Sequence, residues 1–293
     1  GVKKYDLIWL QGEVFPFLPP LATYYFKIMN IPYVVDYDDA VFHRYDDHNK
    51  TIIRKLLGKK IDYVMRNASL VVVGNEYLHS HAASIGVRNV KIIPTVVDMN
   101  RYAKSKEESS GALVVGWIGT PKTVHYLFEI KETIISIKSK FDVRFVAIGV
   151  TDEDVVGLDI ETQPWSEESE VRSILEFDIG IMPLNDSPWE RGKCGYKLIQ
   201  YMACGLPVVA SPVGINTSII EEGEIGLLAK NNDSWIDSIG FLLADQDRRI
   251  KMGNRGRTKV INKYSLEITK PQLASLLSEA VEKPSRNPRN KRL

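Results

Sequence analysis

No run in this sequence reaches the roughly 18 consecutive apolar residues that a membrane-spanning helix needs. An excess of one charge is also missing: 38 Lys and Arg stand against 37 Asp and Glu, a formal net charge of +1. Bulk nucleic-acid binding usually shows a strong basic excess, so a nucleic-acid partner is not expected. Cysteine is scarce. The only two, Cys194 and Cys204, lie ten residues apart across a helical pattern. At a rise of 1.5 Å per residue they would stand about 15 Å apart, beyond disulfide reach. Reduced thiols and a cytosolic setting are the default. The opening GVKKYDLIWL lacks the basic, apolar, small order of a signal peptide. No repeat of solenoid period is present. What is present is ample apolar material, 44% of 293 residues. At about 150 residues per domain the length suits two.

Short runs of Val, Ile, Leu and aromatics alternate with amphipathic stretches. Strands are expected at 5–11, 32–37, 69–74, 90–94, 112–119, 143–149, 177–183 and 207–211, and helices at 50–67, 122–139, 195–204 and 232–244. Near-continuous apolar strands separated by helices indicate parallel sheets covered on both faces. The polar stretch 99–111 has no periodicity and reads as a linker. The expectation is therefore two α/β units: 1–105 and 106–264, followed by a final segment, 265–293. The end of that segment, KPSRNPRNKRL, has the composition of a disordered tail.

The most informative segment is GKCGYKLIQYMACGLPVVASPVG, residues 192–214. It reads as a glycine-containing loop, a helix, a Gly-Leu-Pro turn and a buried strand. Lys193 precedes the helix and Lys197 lies in its first turn. A helix amino terminus favours anions and disfavours lysine. Two lysines there call for an anion, although solvated surface lysines are the common alternative.

This segment resembles the donor-binding segment of the retaining family 4 glycosyltransferases, which have the GT-B fold. The resemblance continues in order through IPTVVD (93–98), VVGWIGTPKTVHYL (114–127), GEIGLLAKNNDSW (223–235) and YSLEITKPQLASLLSEAV (264–281). It implies two Rossmann-like, doubly wound parallel-sheet domains facing a cleft. The second, 106–264, would bind the nucleotide sugar, and the chain from 265 would return toward the first. The implied activity is glycosyl transfer from a nucleoside diphosphate sugar to an acceptor hydroxyl, with retention, in polysaccharide or cell-envelope glycan synthesis. The implied diphosphate contacts are Gly119, Thr120, Lys122, Lys193, Gly195 and Lys197. Pro121 reads as the first residue of a helix after the Gly119 turn. Ribose and sugar contacts would come from Gln200, Glu190 and Tyr196. Many family members carry two glutamates eight apart where this chain has Gly192 and Gln200. Gln200 can still donate to and accept from hydroxyls, whereas Gly192 offers only backbone. Trp117 sits near a position where the family has an arginine. These departures keep two alternatives open: a GT-B sugar-nucleotide epimerase, and a catalytically silent binding subunit.

The segment VVDYDDAVFHRYDDH (34–48) concentrates aspartates. Asp38 or Asp39 can cap the next helix, or Asp36 and Asp38 can share a metal on one strand face. The resemblance instead places Asp38 at the interdomain cleft, as a group assisting the acceptor, with Asp39 beside it and His43 within reach. Lysines and helix ends already neutralise phosphates in that setting, so no cofactor and no metal are expected. Along 49–68, Ile52, Ile53, Leu56, Leu57, Ile61, Val64 and Met65 form an apolar stripe. Arg54, Lys55, Lys59, Lys60 and Arg66 occupy the other face. This is either a solvated face or a peripheral contact with anionic lipid on the inner side of a membrane. The resemblance also implies that the first domain is incomplete at its amino terminus. Its sheet would then lack a central strand, and Tyr5–Leu10 and Pro32–Asp36 would be uncovered.

Overall fold

The computed structural model describes residues 5–102, 111–220 and 224–282. The expected junction at 105 and the basic tail 283–293 lie outside them. The chain divides into two compact units.

The first unit comprises residues 1–95, 187–194 and 269–293. Its chain runs β1 (Ile8–Gln11), α1 (Leu21–Ile28), β2 (Tyr33–Tyr37), α2 (His43–Asp46), α3 (Thr51–Leu57), α4 (Lys60–Asn67), β3 (Leu70–Val73), α5 (Glu76–Ser84) and β4 (Val90–Ile92). The four strands form one parallel sheet in the order β1-β2-β3-β4. Strand alternation sends successive side chains to opposite faces. Val35, Tyr37, Val71 and Val73 pack with Ile61, Val64, Met65 and Leu78. Val34, Leu70 and Val72 pack with Leu273, Leu276, Leu277 and Ala280, near the end of the chain. Pro32–Asp36 is therefore not uncovered as expected: Val34 and Val35 are buried, because helices cover both faces of β2. Strand β1 forms an edge, and Trp9 on it is exposed.

The helix expected over 50–67 is two helices, broken at Gly58 and Lys59. Leu57, Ile61, Val64 and Met65 are buried as an apolar stripe should be, but Ile52 and Leu56 are 60% and 74% exposed. Nor does Lys60 belong to a solvated basic face. It is buried and donates to Glu13 Oε2 at 2.5 Å and to the Phe15 carbonyl. Burial alone would raise the Glu13 pKa, but hydrogen bonds from Lys60 and Tyr45, with the charges of Lys60 and Arg44, hold it below the ordinary range. Sequence periodicity could not show this pair, whose members lie 47 residues apart.

The second unit comprises residues 96–186 and 195–268. It runs β5 (Leu113–Ile118), α6 (His125–Phe128), α7 (Lys131–Lys140), β6 (Val143–Ile148), β7 (Glu161–Gln163), α8 (Glu170–Leu175) and β8 (Ile179–Met182). After α9 (Pro188–Arg191), which belongs to the first unit, come α10 (Tyr196–Ala203), β9 (Val208–Ala210), α11 (Asn216–Ile219), β10 (Gly226–Leu228), α12 (Asn232–Leu243) and α13 (Gln246–Lys263); α14 (Leu266–Glu282) begins here and passes into the first unit from Thr269. The sheet is parallel, in the order β10-β9-β8-β5-β6-β7. One face packs Ile118, Ile148 and Val208 with Leu198, Met202 and Val260. The other packs Val115, Phe145 and Val209 with Ile134, Ile137 and Ile239.

The division differs from the expected boundary at 105. Val97 donates to the Tyr264 carbonyl and accepts from Leu266 N–H, both at 3.0 Å, so residues 96–102 join the second unit. Residues 187–194 fall with the first unit, held there by Asn75 and Asp38 as described below.

Candidate functional site

In the second unit the chain order reverses between β5 and β8. In open α/β sheets such a switch point opens a crevice at the carboxyl ends of the strands. Gly119 follows β5 there, and its N–H donates to the Ile148 carbonyl at 2.9 Å. Gly149 follows β6 with φ of +88°, and a Cβ on it would strike the Gly119 carbonyl oxygen. Only glycine suits that place. Residues 120–123 form a tight turn: Thr123 N–H donates to the Thr120 carbonyl at 2.8 Å, and Thr120 N–H donates to Thr123 Oγ1 at 3.1 Å. Pro121 and Lys122 thus lie in a turn, and the helix begins only at His125, a correction to the expected first-position proline. Thr120 and Lys122 are exposed on this turn. Beside it, Trp165 is 52% exposed, and its indole N–H donates to Glu170 Oε2 at 2.8 Å.

Gly195 takes a left-handed conformation, φ +71°, as the residue before α10. Lys197 lies in the first turn of that helix, its Nζ 4.2 Å from the Trp117 ring centroid. Gln200 does not project from the helix as a ribose contact would. It is 2% exposed, and its amide donates to the Tyr102 hydroxyl at 3.2 Å. Tyr102 in turn donates to Glu170 Oε1 at 3.3 Å. Tyr196 is exposed at the start of α10. Burial foremost, and then Glu170, raise its pKa.

The first unit holds the other expected residues. Asp38 and Asp39 follow β2, Asp38 exposed and Asp39 half-buried. Neither caps α2, whose preceding residue is Phe42. Burial raises the Asp39 pKa, Lys193 and Arg44 oppose that rise, and Asp38 and Glu190 add to it. These shifts bring Asp38, Asp39, Glu190 and Lys193 into one electrostatic neighbourhood. Glu190 is buried and accepts from the Ser187 hydroxyl. Asp36 is raised to about 6, by burial first and by Asp38 second, against a hydrogen bond from Trp9. His43 is tied to Asp46 at 2.9 Å and to the Tyr77 hydroxyl at 2.8 Å.

The loop carrying Lys193 is fixed by a residue the sequence did not single out. Asn75 caps α5, accepting from Leu78 N–H at 3.0 Å, while its amide donates to the Gly192 and Lys193 carbonyls at 2.8 and 3.0 Å. The Cys194 thiol donates to the Asp38 carbonyl at 2.8 Å, and burial pushes that thiol up to about 12. Gly192 abuts Ala40 so closely that a Cβ there would stand 2.8 Å from the Ala40 nitrogen. A glutamate at this position has no room.

Residues 110–245 match the family described as Glycosyl transferases group 1. The D-inositol 3-phosphate glycosyltransferase of Corynebacterium urealyticum is 24% identical over 97% of this chain and 74% of its own length. Sucrose-phosphate synthase from Thermosynechococcus elongatus has the same architecture, with a TM-score of 0.73 at 16% identity over 94% of this chain and 74% of that one. Anabaena HepE, solved with UDP and glucose, gives 0.72 at 16% identity over 94% and 79%. Residues 110–245 thus carry a glycosyl transferases group 1 domain, and the chain has the GT-B fold. In this chain the second unit brings together Gly119, Thr120 and Lys122 in one turn and places Gly195, Tyr196, Lys197 and Gln200 on α10 and its cap. Asp38, Asp39, Glu190 and Lys193 sit in the first unit. Trp165 and Gly149 escaped the sequence reading; the apolar run of β6 ending in Gly149 is the signal that could have marked the second.

Proposed function

We propose that this glycosyltransferase moves a sugar from a nucleoside diphosphate sugar to an acceptor hydroxyl, with retention, in the synthesis of a polysaccharide or envelope glycan. The observation that carries this reading is the Gly119–Lys122 turn at the switch point of the second sheet. There, the exposed side chains of Thr120 and Lys122 meet the end of β5. The leaving nucleoside diphosphate develops negative charge, and groups placed in advance stabilise it. Lys122, Lys193, Lys197 and the amino terminus of α10 have the right charge for this. Asp38, with Asp39 beside it, assists the acceptor hydroxyl, and Tyr196 and Glu190 contact the donor's sugars. Gln200 supports Tyr102 from inside the unit. The acceptor is a sugar or a lipid-linked glycan, reached on the cytoplasmic face of a membrane. Among the described residues no helix is long and apolar enough to cross one. Contact would instead be peripheral, through α3, where Ile52 and Leu56 are exposed beside Arg54 and Lys55.

UDP in HepE makes UDP-sugars the first donors to try. Purified protein is incubated with a panel of nucleotide sugars, with and without lipid-linked and soluble glycan acceptors. Release of nucleoside diphosphate only with acceptor is the expected result. Epimerised donor without acceptor would replace this reading with that of an epimerase, and binding without turnover would replace it with that of a silent subunit. With the working pair in hand, EDTA is expected to leave the rate unchanged, because lysines rather than a divalent cation neutralise the diphosphate. Loss in EDTA and recovery with Mn²⁺ would point back to Asp36 and Asp38.

A further inference from the structure

Trp117 is the next-to-last residue of β5 and is 1% exposed. Its six-membered ring lies directly beneath Gly119: the Cζ2 and Cη2 atoms fill the place a Cβ on Gly119 would take. Over the same ring stands the Lys197 ammonium, 4.2 Å from the centroid. One side chain thus touches both the turn that carries Thr120 and Lys122 and the lysine of the α10 first turn. All of these groups belong to the second unit.

The indole N–H of Trp117 finds no hydrogen-bond partner among the described residues. A buried donor left unpaired is costly, and phenylalanine would avoid that cost. The indole face is the side-chain surface that attracts a cation most strongly. A free lysine also loses much rotamer freedom on binding an anion, and a lysine already held loses less.

We propose that Trp117 is a positioning residue for the donor diphosphate. Its ring holds the Lys197 ammonium beside the Gly119–Lys122 turn before the nucleotide arrives. This rests on the reading of that turn as the diphosphate site. Trp117 itself does not touch the donor. It sets where the charge stands, and Gly119 is glycine partly because the ring must lie under it.

The test varies the electrostatics of the ring and preserves its shape. Wild-type protein and Lys197→Ala are prepared with natural tryptophan and with mono-, di- and tetrafluorotryptophan, which progressively withdraw charge from the ring face. Affinity for UDP, GDP, ADP, CDP and dTDP is measured by calorimetry, with circular dichroism and thermal melts as controls. Binding of the preferred nucleotide should weaken stepwise in wild type, by about tenfold across the series, and stay flat in Lys197→Ala. Flatness in both proteins, or an equal fall in both, overturns the proposal. So does Lys197→Ala binding as tightly as wild type, which would leave the diphosphate reading standing on other groups. If the natural-tryptophan protein binds none of the five nucleotides, the diphosphate reading itself falls and takes this one with it. Trp117→Phe and Trp117→Leu give a second measure: Phe should bind within about threefold of wild type and Leu about tenfold more weakly. Equal losses in the two overturn the role of the aromatic face.

Discussion

At the residue scale, Gly192 shows how packing decides a position that chemistry would fill otherwise. The family resemblance expects a glutamate there, and the close approach of Ala40 forbids any side chain. Gly192→Ala should therefore destabilise the protein by about 1–3 kcal/mol, as overpacking does, in chemical denaturation. A neutral result would mean the loop can move away from Ala40. Asp36 gives a pH signature. Its folded pKa of about 6 lies above the ordinary aspartate value, so the folded state keeps a proton that the unfolded chain has already released. Stability from this group is fully present below about pH 4 and is lost as pH rises to about 6. Compared with Asp36→Asn, wild type should lose on the order of 2 kcal/mol across that window. Parallel stability curves for the two proteins would contradict the shift. The sequence displayed the aspartates and the glycine, but not the neighbours that set their behaviour, because Ala40 and Gly192 are far apart in the chain.

At the scale of elements, Asn75 does two jobs through one amide: its oxygen caps α5 and its nitrogen secures the loop before Gly195. Asn75→Ala should cost about 1–3 kcal/mol. Asn75→Asp keeps the cap but turns a buried carboxylate oxygen toward the Gly192 and Lys193 carbonyls in place of the donors, so it too should melt below wild type; an Asp variant as stable as wild type would show the loop bonds to be dispensable. Helix α3 gives a second expectation at this scale. Ile52 and Leu56 are exposed next to two basic residues, so co-sedimentation with anionic vesicles should drop when both are changed to Ser, and salt should weaken what is left. Equal sedimentation of wild type and variant would remove α3 as the contact. The eight strands expected from apolar runs all form; β2, β3, β5, β6, β8 and β9 are largely buried and write themselves as consecutive apolar residues, whereas β1 and β4 are the partly exposed edges of their sheet. Strand β7 reads Glu-Thr-Gln, with no apolar run to mark it, and β10 is a Gly-Leu-Leu inside a segment read as a turn. The break at Gly58 was hidden by a stripe that ran through it.

At the scale of the whole molecule, the two-sheet architecture was legible, since each sheet is local in sequence and built of alternating strands and helices. The assignment of 187–194 and 96–102 was not, because it rests on partners from distant segments: Asn75 and Asp38 for one, Tyr264 and Leu266 for the other. The chain passes from one unit to the other at four points: after Thr95, after Asp186, after Cys194, which closes an eight-residue return, and after Ile268. This bears on how such enzymes can be recombined. A single crossover that exchanged everything after residue 105 for the matching half of another transferase would carry a foreign 187–194 into a unit that expects Asn75, Ala40 and Gly74 around it. A chimera built to change the donor must keep that eight-residue insert with its host and splice on both sides of it, so that the specificity of the second unit is inherited as two separated pieces of gene.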